Sequence, residues 1–390
     1  MYNFRTNFSI VKGALTKQSP FYIQFFITNK CFLNCKMCNI VSANRNLEIV
    51  DLDKIEKIAR NLRAIGAGVV LLTGGEPFIR DDIVEIVRIF RKYGLTPRLQ
   101  TAGLISKFDN MLECCKLGAK DINISLDTLD EELADEINGV KGSFKKAIQT
   151  IGKISREFPA HDTVCALGCV LSPYNIDTVE EVLDFADAIG WSLSLVPVHI
   201  NINDKEMHFR GYDKSFIFSR SDYKKVEKLI QKMHQRKRQG DNIFDSRKYL
   251  DSIVNFVKTN NPSWRHNGIC DSPGLYFAIR PDGRFAPCCD QDIDEDIYVY
   301  SDDFVDIYKS KAFRAKVKNV TRTCTGCNFG SYPEMTLTVR DMPTFFERVK
   351  LELRGNKLVH RSFEDDELFD LIDNIRRKHE GENYKPHSQI

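Results

Sequence analysis

The chain has 390 residues, 42% hydrophobic and 28% charged, with a formal net charge of +2. That is the profile of an ordinary globular protein of about two or three domains, and it excludes the strongly basic field of a nucleic-acid-binding protein. No run approaches the roughly 18 apolar residues of a membrane span, and residues 1–17 lack the apolar core of a signal peptide, so no transmembrane segment and a cytoplasmic location are expected. The cytosol keeps thiols reduced, and the 12 cysteines are therefore expected to be metal ligands or reactive thiols more than disulfides.

From Tyr22 to Ile200 short apolar runs alternate with helical periodicity, the pattern of βα units and a parallel sheet. Strands are predicted over Tyr22 to Thr28, Val69 to Thr73, Pro97 to Thr101, Asp121 to Leu126, Thr163 to Leu171 and Trp191 to Val198. Between them, apolar residues recur at three- and four-residue intervals: Ile55, Ile58, Ala59, Leu62 and Ile65, then Ile83, Ile86, Val87 and Phe90. A later set, Val179, Val182, Leu183 and Ala186, stops at Gly190. Residues 1–200 thus predict an α/β fold, an open, partial (β/α)6 barrel of TIM-like form.

Functional groups in such architectures gather where the strands end. Cys31, Cys35 and Cys38 follow the first strand and Gly74, Gly75, Glu76 and Pro77 the second. Ala102 and Gly103 follow the third, Asp127 the fourth, Ser172 to Asn175 the fifth and His199 the sixth. Cys114, Cys115, Cys165 and Cys169 lie elsewhere and are expected to be small buried hydrophobes.

Residues 201–267 read as a bridging region, with a helix carrying Tyr223, Val226, Leu229, Ile230 and Met233 on one face. Its basic residues Lys224, Lys225, Lys228, Lys232, Arg236, Lys237 and Arg238 read as the solvated side. Residues 268–340 form a cysteine-bearing module with strands Leu275 to Ile279 and Arg284 to Ala286 around a Pro281-Asp282-Gly283 turn. Residues 341–390 read as two helices and a polar tail, where Met342, Phe345, Phe346, Val349 and Leu353 make a stripe expected to dock on the protein's own core.

Three thiols spaced as in Cys31, Cys35 and Cys38 can converge on one iron–sulfur cubane and leave one iron open. A zinc ribbon would instead pair two Cys-x-x-Cys knuckles separated by tens of residues. The loop resembles the signature of the radical S-adenosylmethionine (SAM) superfamily. Thr73-Gly74-Gly75-Glu76-Pro77 resembles that family's glycine-rich element, which implies contact with the amino end of SAM; glycines let the backbone approach a ligand closely. Ser125 and Asp127 sit like the family's fourth-strand residues near the ribose and methionine parts of SAM. Two positions depart from the pattern: Met37 stands where an aromatic residue is usual, and Asn138 where many relatives carry arginine.

Cys270, Cys288, Cys324 and Cys327, with Asp282-Gly283-Arg284-Phe285-Ala286-Pro287-Cys288 leading into the second, resemble the SPASM and twitch modules appended to radical SAM barrels. The resemblance implies one auxiliary 4Fe-4S cluster, with Cys288 preferred to Cys289 as ligand; by geometry alone four thiolates suit zinc equally well. His199 could face the substrate and Cys289 could donate a hydrogen atom to a substrate radical, and both are candidate catalytic residues.

The resemblance implies an enzyme that cleaves SAM reductively to methionine and a 5'-deoxyadenosyl radical, then removes a hydrogen atom from an unactivated carbon of a small molecule or peptide. The auxiliary cluster would assist electron transfer in an oxidation or rearrangement, and a low-potential donor such as flavodoxin or ferredoxin would supply the electron. A peptide maturase or an epimerase of the same superfamily is the alternative. A non-catalytic iron–sulfur carrier or sensor is the reading from another class, and it predicts four protein ligands per cluster and no SAM site.

Overall fold

The computed structural model describes residues 12–13, 15–16, 19–202, 207–259, 270–324, 326–355 and 360–381. Its centre is one eight-stranded sheet. Strands β1 (Tyr22–Phe26), β2 (Val69–Thr73), β3 (Thr96–Thr101), β4 (Asp121–Ser125), β5 (Val164–Leu171) and β6 (Ser192–Pro197) are parallel and pair in sequence order. All six expected strands are present, each within a few residues of its expected ends.

Strand alternation sorts the side chains. Ile23, Phe25, Val70, Leu72, Leu99, Ile122 and Ile124 point outward into the main core beneath the covering helices, where each buried aliphatic or aromatic side chain contributes about 1.5–3 kcal/mol. The register sets Gln24 beside Leu71, Arg98 beside Asp121 and Ser125 beside Gly168, so the opposite, concave face carries Tyr22, Gln24, Arg98, Gln100, Asn123 and Ser125. The helices are delimited locally. Asp51 caps the helix Leu52–Ile65 by accepting from the Lys54 amide at 2.8 Å, and Gly66 ends it at φ +100°.

The strands expected in the cysteine-bearing module form β7 (Tyr276–Ile279) and β8 (Phe285–Ala286), an antiparallel pair. β7 also pairs in parallel with β1, Tyr22 beside Tyr276 and Gln24 beside Ala278, so the sheet runs β6-β5-β4-β3-β2-β1-β7-β8. The hairpin therefore continues the barrel sheet. Tyr22 and Tyr276 stack across the junction, centroids 4.7 Å apart.

The bridging region contains the expected helix, Arg220–Gln239, with Val226, Leu229, Ile230 and Met233 buried. Two of its basic residues do not stand in solvent. Arg236 donates to Asp184 at 2.6 Å and also pairs with Asp241, while Lys237 donates to the Ile243 carbonyl at 2.8 Å. A second helix, Arg247–Thr259, was not expected; it buries Tyr249, Leu250, Ile253 and Phe256. The C-terminal part does form two helices, Met342–Gly355 and Asp365–Glu380. The expected docking stripe fails on the first of them: Met342, Phe346 and Val349 are exposed, and the side chain of Leu353 lies outside the described residues. That helix docks through polar atoms instead, with Arg348 donating to the Phe244 carbonyl at 2.7 Å and stacking 4.2 Å from its ring. Arg98 approaches the same ring and pairs with Asp121 at 3.1 Å, which fills the N-terminal end of the barrel and leaves the strand C-termini as the open edge. No described helix is long and apolar enough to cross a membrane.

Candidate active site and thiol centres

The loop after β1 is held from every side by backbone. Asn29 donates to the carbonyls of Asn44 and Leu47 at 2.8 and 3.0 Å, and Arg80 donates to those of Ile27 and Val50 at 3.1 and 3.0 Å. Gly74 and Gly75 lie directly on the loop: a Cβ at Gly74 would stand 2.4 Å from the Thr28 carbonyl oxygen, and one at Gly75 2.1 Å from that of Lys30. Backbone bonds seal the contact, Gly75 N–H to Thr28 and Glu76 N–H to Lys30. The glycine requirement at these two positions is accounted for by close approach to the cysteine loop itself. On the opposite side the Asn34 amide donates to the Asn138 carbonyl at 3.0 Å, and the Cys35 thiol stands 3.8 Å from the Asn138 side-chain oxygen. Asn138 thus buttresses the loop.

Glu76 is 1% exposed, and its carboxylate accepts from the Phe78 amide, the Thr101 hydroxyl and the Ala102 amide at 2.9–3.1 Å. It therefore knots the end of β2 to that of β3; burial raises its pKa to about 7 against the pull of those donors. Pro77 opens the short 3-10 turn that follows. Asp127 is likewise buried and accepts from the Val170 amide at 2.7 Å, and burial pushes its pKa up to about 7. Ser125 differs from both: it is exposed at the end of β4, with its hydroxyl available to a ligand on the concave face. Met37 packs against Val198, Ile200 and Phe216, an apolar wall beside the thiols.

Cys31 and Cys35 are partly exposed and Cys38 is exposed. Burial pushes the Cys35 thiol up, and Cys38, Asp127 and Cys31 add like-charge repulsion. Thiolates crowded in this way are stabilised by a cationic metal centre, which ligation requires.

The second set converges on a cavity of about 30 Å³ lined by Cys270, Cys288, Cys289, Cys324 and Cys327. Burial pushes the Cys327 thiol up, reinforced by Cys324, Cys270 and Cys288. Cys289 faces the same cavity from within an apolar cluster that includes Tyr276, Phe329 and Tyr332, and is 2% exposed. Four thiolates around one void can hold a cluster, and tetrahedral zinc takes the same donor set. No disulfide forms among the described residues, and Cys114, Cys115, Cys165 and Cys169 are buried as expected.

His199 is engaged on both nitrogens. Nδ1 donates to the Pro197 carbonyl at 2.7 Å, Nε2 accepts from the Asn328 amide at 2.8 Å, and the ring stacks on Phe329. Burial, then the Arg210 charge, holds it well below the ordinary imidazole range. A neutral ring with both nitrogens bonded to backbone has none left for a substrate, so the catalytic role considered for His199 gives way to a structural one. Sequence reasoning also passed over Asn29, Arg80 and Arg210, which hold the thiol loops by contacts that leave no motif.

A partial parallel barrel with a three-thiol loop after its first strand defines the chain as an α/β-barrel enzyme. Residues 25–186 match the family model described as the Radical SAM superfamily, so the barrel is a radical SAM domain, a class whose cofactors are a 4Fe-4S cluster and SAM. It is 29% identical over 222 residues to a probable GTP 3',8-cyclase of Pyrococcus abyssi, covering 55% of this chain and 70% of the relative. It is 27% identical over 168 residues to the PqqA peptide cyclase of Bradyrhizobium diazoefficiens, 43% of each chain. For other GTP 3',8-cyclases the chain spans 51–69% of their length. In fold it is similar to Streptococcus suis SuiB bound to its precursor peptide SuiA, with a TM-score of 0.55 at 17% identity, over 82% of this chain and 70% of that one.

Proposed function

We propose that this radical SAM enzyme removes a hydrogen atom from an unactivated carbon of a small organic or peptide substrate and passes the resulting electron to a second cluster. The observation that carries this reading is the pair of thiol sets, Cys31, Cys35 and Cys38 on the loop after β1 and Cys270, Cys288, Cys324 and Cys327 around one cavity. When bound, the first cluster and SAM supply the electron and the hydrogen-abstracting group. The chain's part is to hold and aim them. Cys31, Cys35 and Cys38 serve as the three thiolates, the turn Gly74 to Pro77 supports their loop and offers backbone to the amino end of SAM, Ser125 offers a hydroxyl, and Met37 walls one side. Asp127, fixed by the Val170 amide, shapes the floor.

A peptide is favoured over a nucleoside triphosphate. Toward the strand C-termini the concave face carries the neutral side chains Gln24, Gln100, Asn123 and Ser125, whereas Arg98, paired with Asp121 and donating to the Tyr22 hydroxyl at 3.3 Å, lies at the opposite end. The loops at the open edge expose Phe32, Tyr174, Tyr212 and Ile217, side chains suited to an apolar or peptide surface. Anaerobic incubation of the reconstituted protein with SAM and a strong reductant tests the core of the reading. Formation of 5'-deoxyadenosine that is lost in Cys35→Ala is the expected result; equal yields from the two proteins would overturn it.

A further inference from the structure

Residues 207–211 run between the two thiol sets. The backbone of Arg210 forms an antiparallel bridge with Cys38, and Gly211 lies so close beneath that a Cβ there would stand 2.6 Å from the Met37 carbonyl carbon. The Arg210 side chain turns toward the other set. Its Nε donates to Asp290 Oδ2 at 2.6 Å and its Nη2 donates to the Gly326 carbonyl at 3.2 Å. Gly326 lies between Cys324 and Cys327, and Asp290 directly follows Cys288 and Cys289.

The two side chains are 7% and 4% exposed, and Asp290 Oδ1 is buried with no hydrogen-bond partner. A buried ion pair is weak evidence for stability, since well-packed apolar residues of similar volume often serve as well. Fixed charges in a low-dielectric interior do, however, act strongly on a neighbouring redox centre, whose potential depends on net charge and surrounding hydrogen bonds.

We infer that Arg210 and Asp290 are positioning residues that set the reduction potential of the auxiliary cluster through opposed charges. This rests on the reading that Cys270, Cys288, Cys324 and Cys327 hold that cluster. The Arg210 charge favours the reduced, more negative state, and the Asp290 charge opposes it. Neutralising one leaves the other uncompensated, so the two substitutions move the potential in opposite directions. A purely structural contact has no such sign.

The test is a spectroscopically monitored redox titration in a Cys31→Ala/Cys35→Ala/Cys38→Ala background, where only the second cluster contributes. Arg210→Gln is expected to lower the potential and Asp290→Asn to raise it, each changing the reduced-to-oxidised ratio at the parent midpoint by roughly tenfold, while Arg210→Lys stays near the parent. Shifts of one common sign, or none, with iron retained overturn the inference alone. Absence of iron in the triple-alanine parent overturns the reading of the four cysteines, and the inference with it. Should Arg210→Gln fail to hold iron, Asp290→Asn decides: an upward shift supports the inference and an unchanged potential overturns it.

Discussion

His199 Nε2 accepts the backbone N–H of Asn328 at 2.8 Å, joining the C-terminal end of β6 to the loop that carries Cys324 and Cys327. Removing the acceptor leaves a buried amide unpaired, at a cost of about 1–3 kcal/mol. His199→Phe is expected to lower the unfolding free energy by that amount and to reduce iron at the second set. The 5'-deoxyadenosine yield per iron-loaded molecule should stay within about twofold of the parent, roughly 0.4 kcal/mol in the barrier. A large loss of that yield at unchanged iron content would restore a catalytic role for His199.

Gly75 supports the cysteine loop from 2.1 Å away at its Cβ position. Gly75→Ala forces backbone against backbone, and overpacking of this kind costs about 1–3 kcal/mol. Chemical denaturation and iron analysis should show a less stable protein with a depleted first cluster. Gly142→Ala is the control: its φ of +80° strains any side chain, but nothing lies within 4 Å of its Cβ position, so it should lose some stability and keep its iron.

These positions show how far the sequence reached. Six barrel strands and both thiol sets were legible because strand periodicity and cysteine spacing are local patterns. The pairing of β7 with β1, the role of Gly74 and Gly75 as backing for the cysteine loop, and the links made by Arg80, Asn138 and Arg210 were not, since each joins segments tens to hundreds of residues apart. The exposed Met342, Phe346 and Val349 mislead in the opposite sense: helical spacing of apolar residues identifies a face, and the Arg348 contacts to Phe244 decide which way it turns.

Cys288 and Cys289 are adjacent yet unequal. Cys288 is partly exposed, and Cys289 is buried among aromatic rings. Cys288→Ala is expected to remove the second cluster, whereas Cys289→Ala should retain it and lose only packing, on the order of 1 kcal/mol. Iron content and visible absorption of the two variants separate them, and the reverse pattern would assign Cys289 as the ligand.

Asp245 is buried, accepts from the Ser194 hydroxyl at 3.0 Å and the Leu195 amide, and has its pKa raised to about 7 by burial and then by Glu334. Because the native state holds this proton more tightly than the unfolded chain does, its contribution to stability is present in full below about pH 4 and is lost as pH rises to about 7. Asp245→Asn can keep both bonds without titrating. Urea midpoints measured at pH 5 and pH 8 should fall less in the variant than in the parent, and an equal fall in both would exclude Asp245 as the source.

The central claim is that one chain holds two clusters on separate thiol sets, and iron and sulfide counting on anaerobically reconstituted protein tests it most directly. The account predicts about eight irons per chain in the parent and about four in each of two variants, one lacking Cys31, Cys35 and Cys38, the other lacking Cys270, Cys288, Cys324 and Cys327. About four irons in the parent, all lost with the first set, would contradict it.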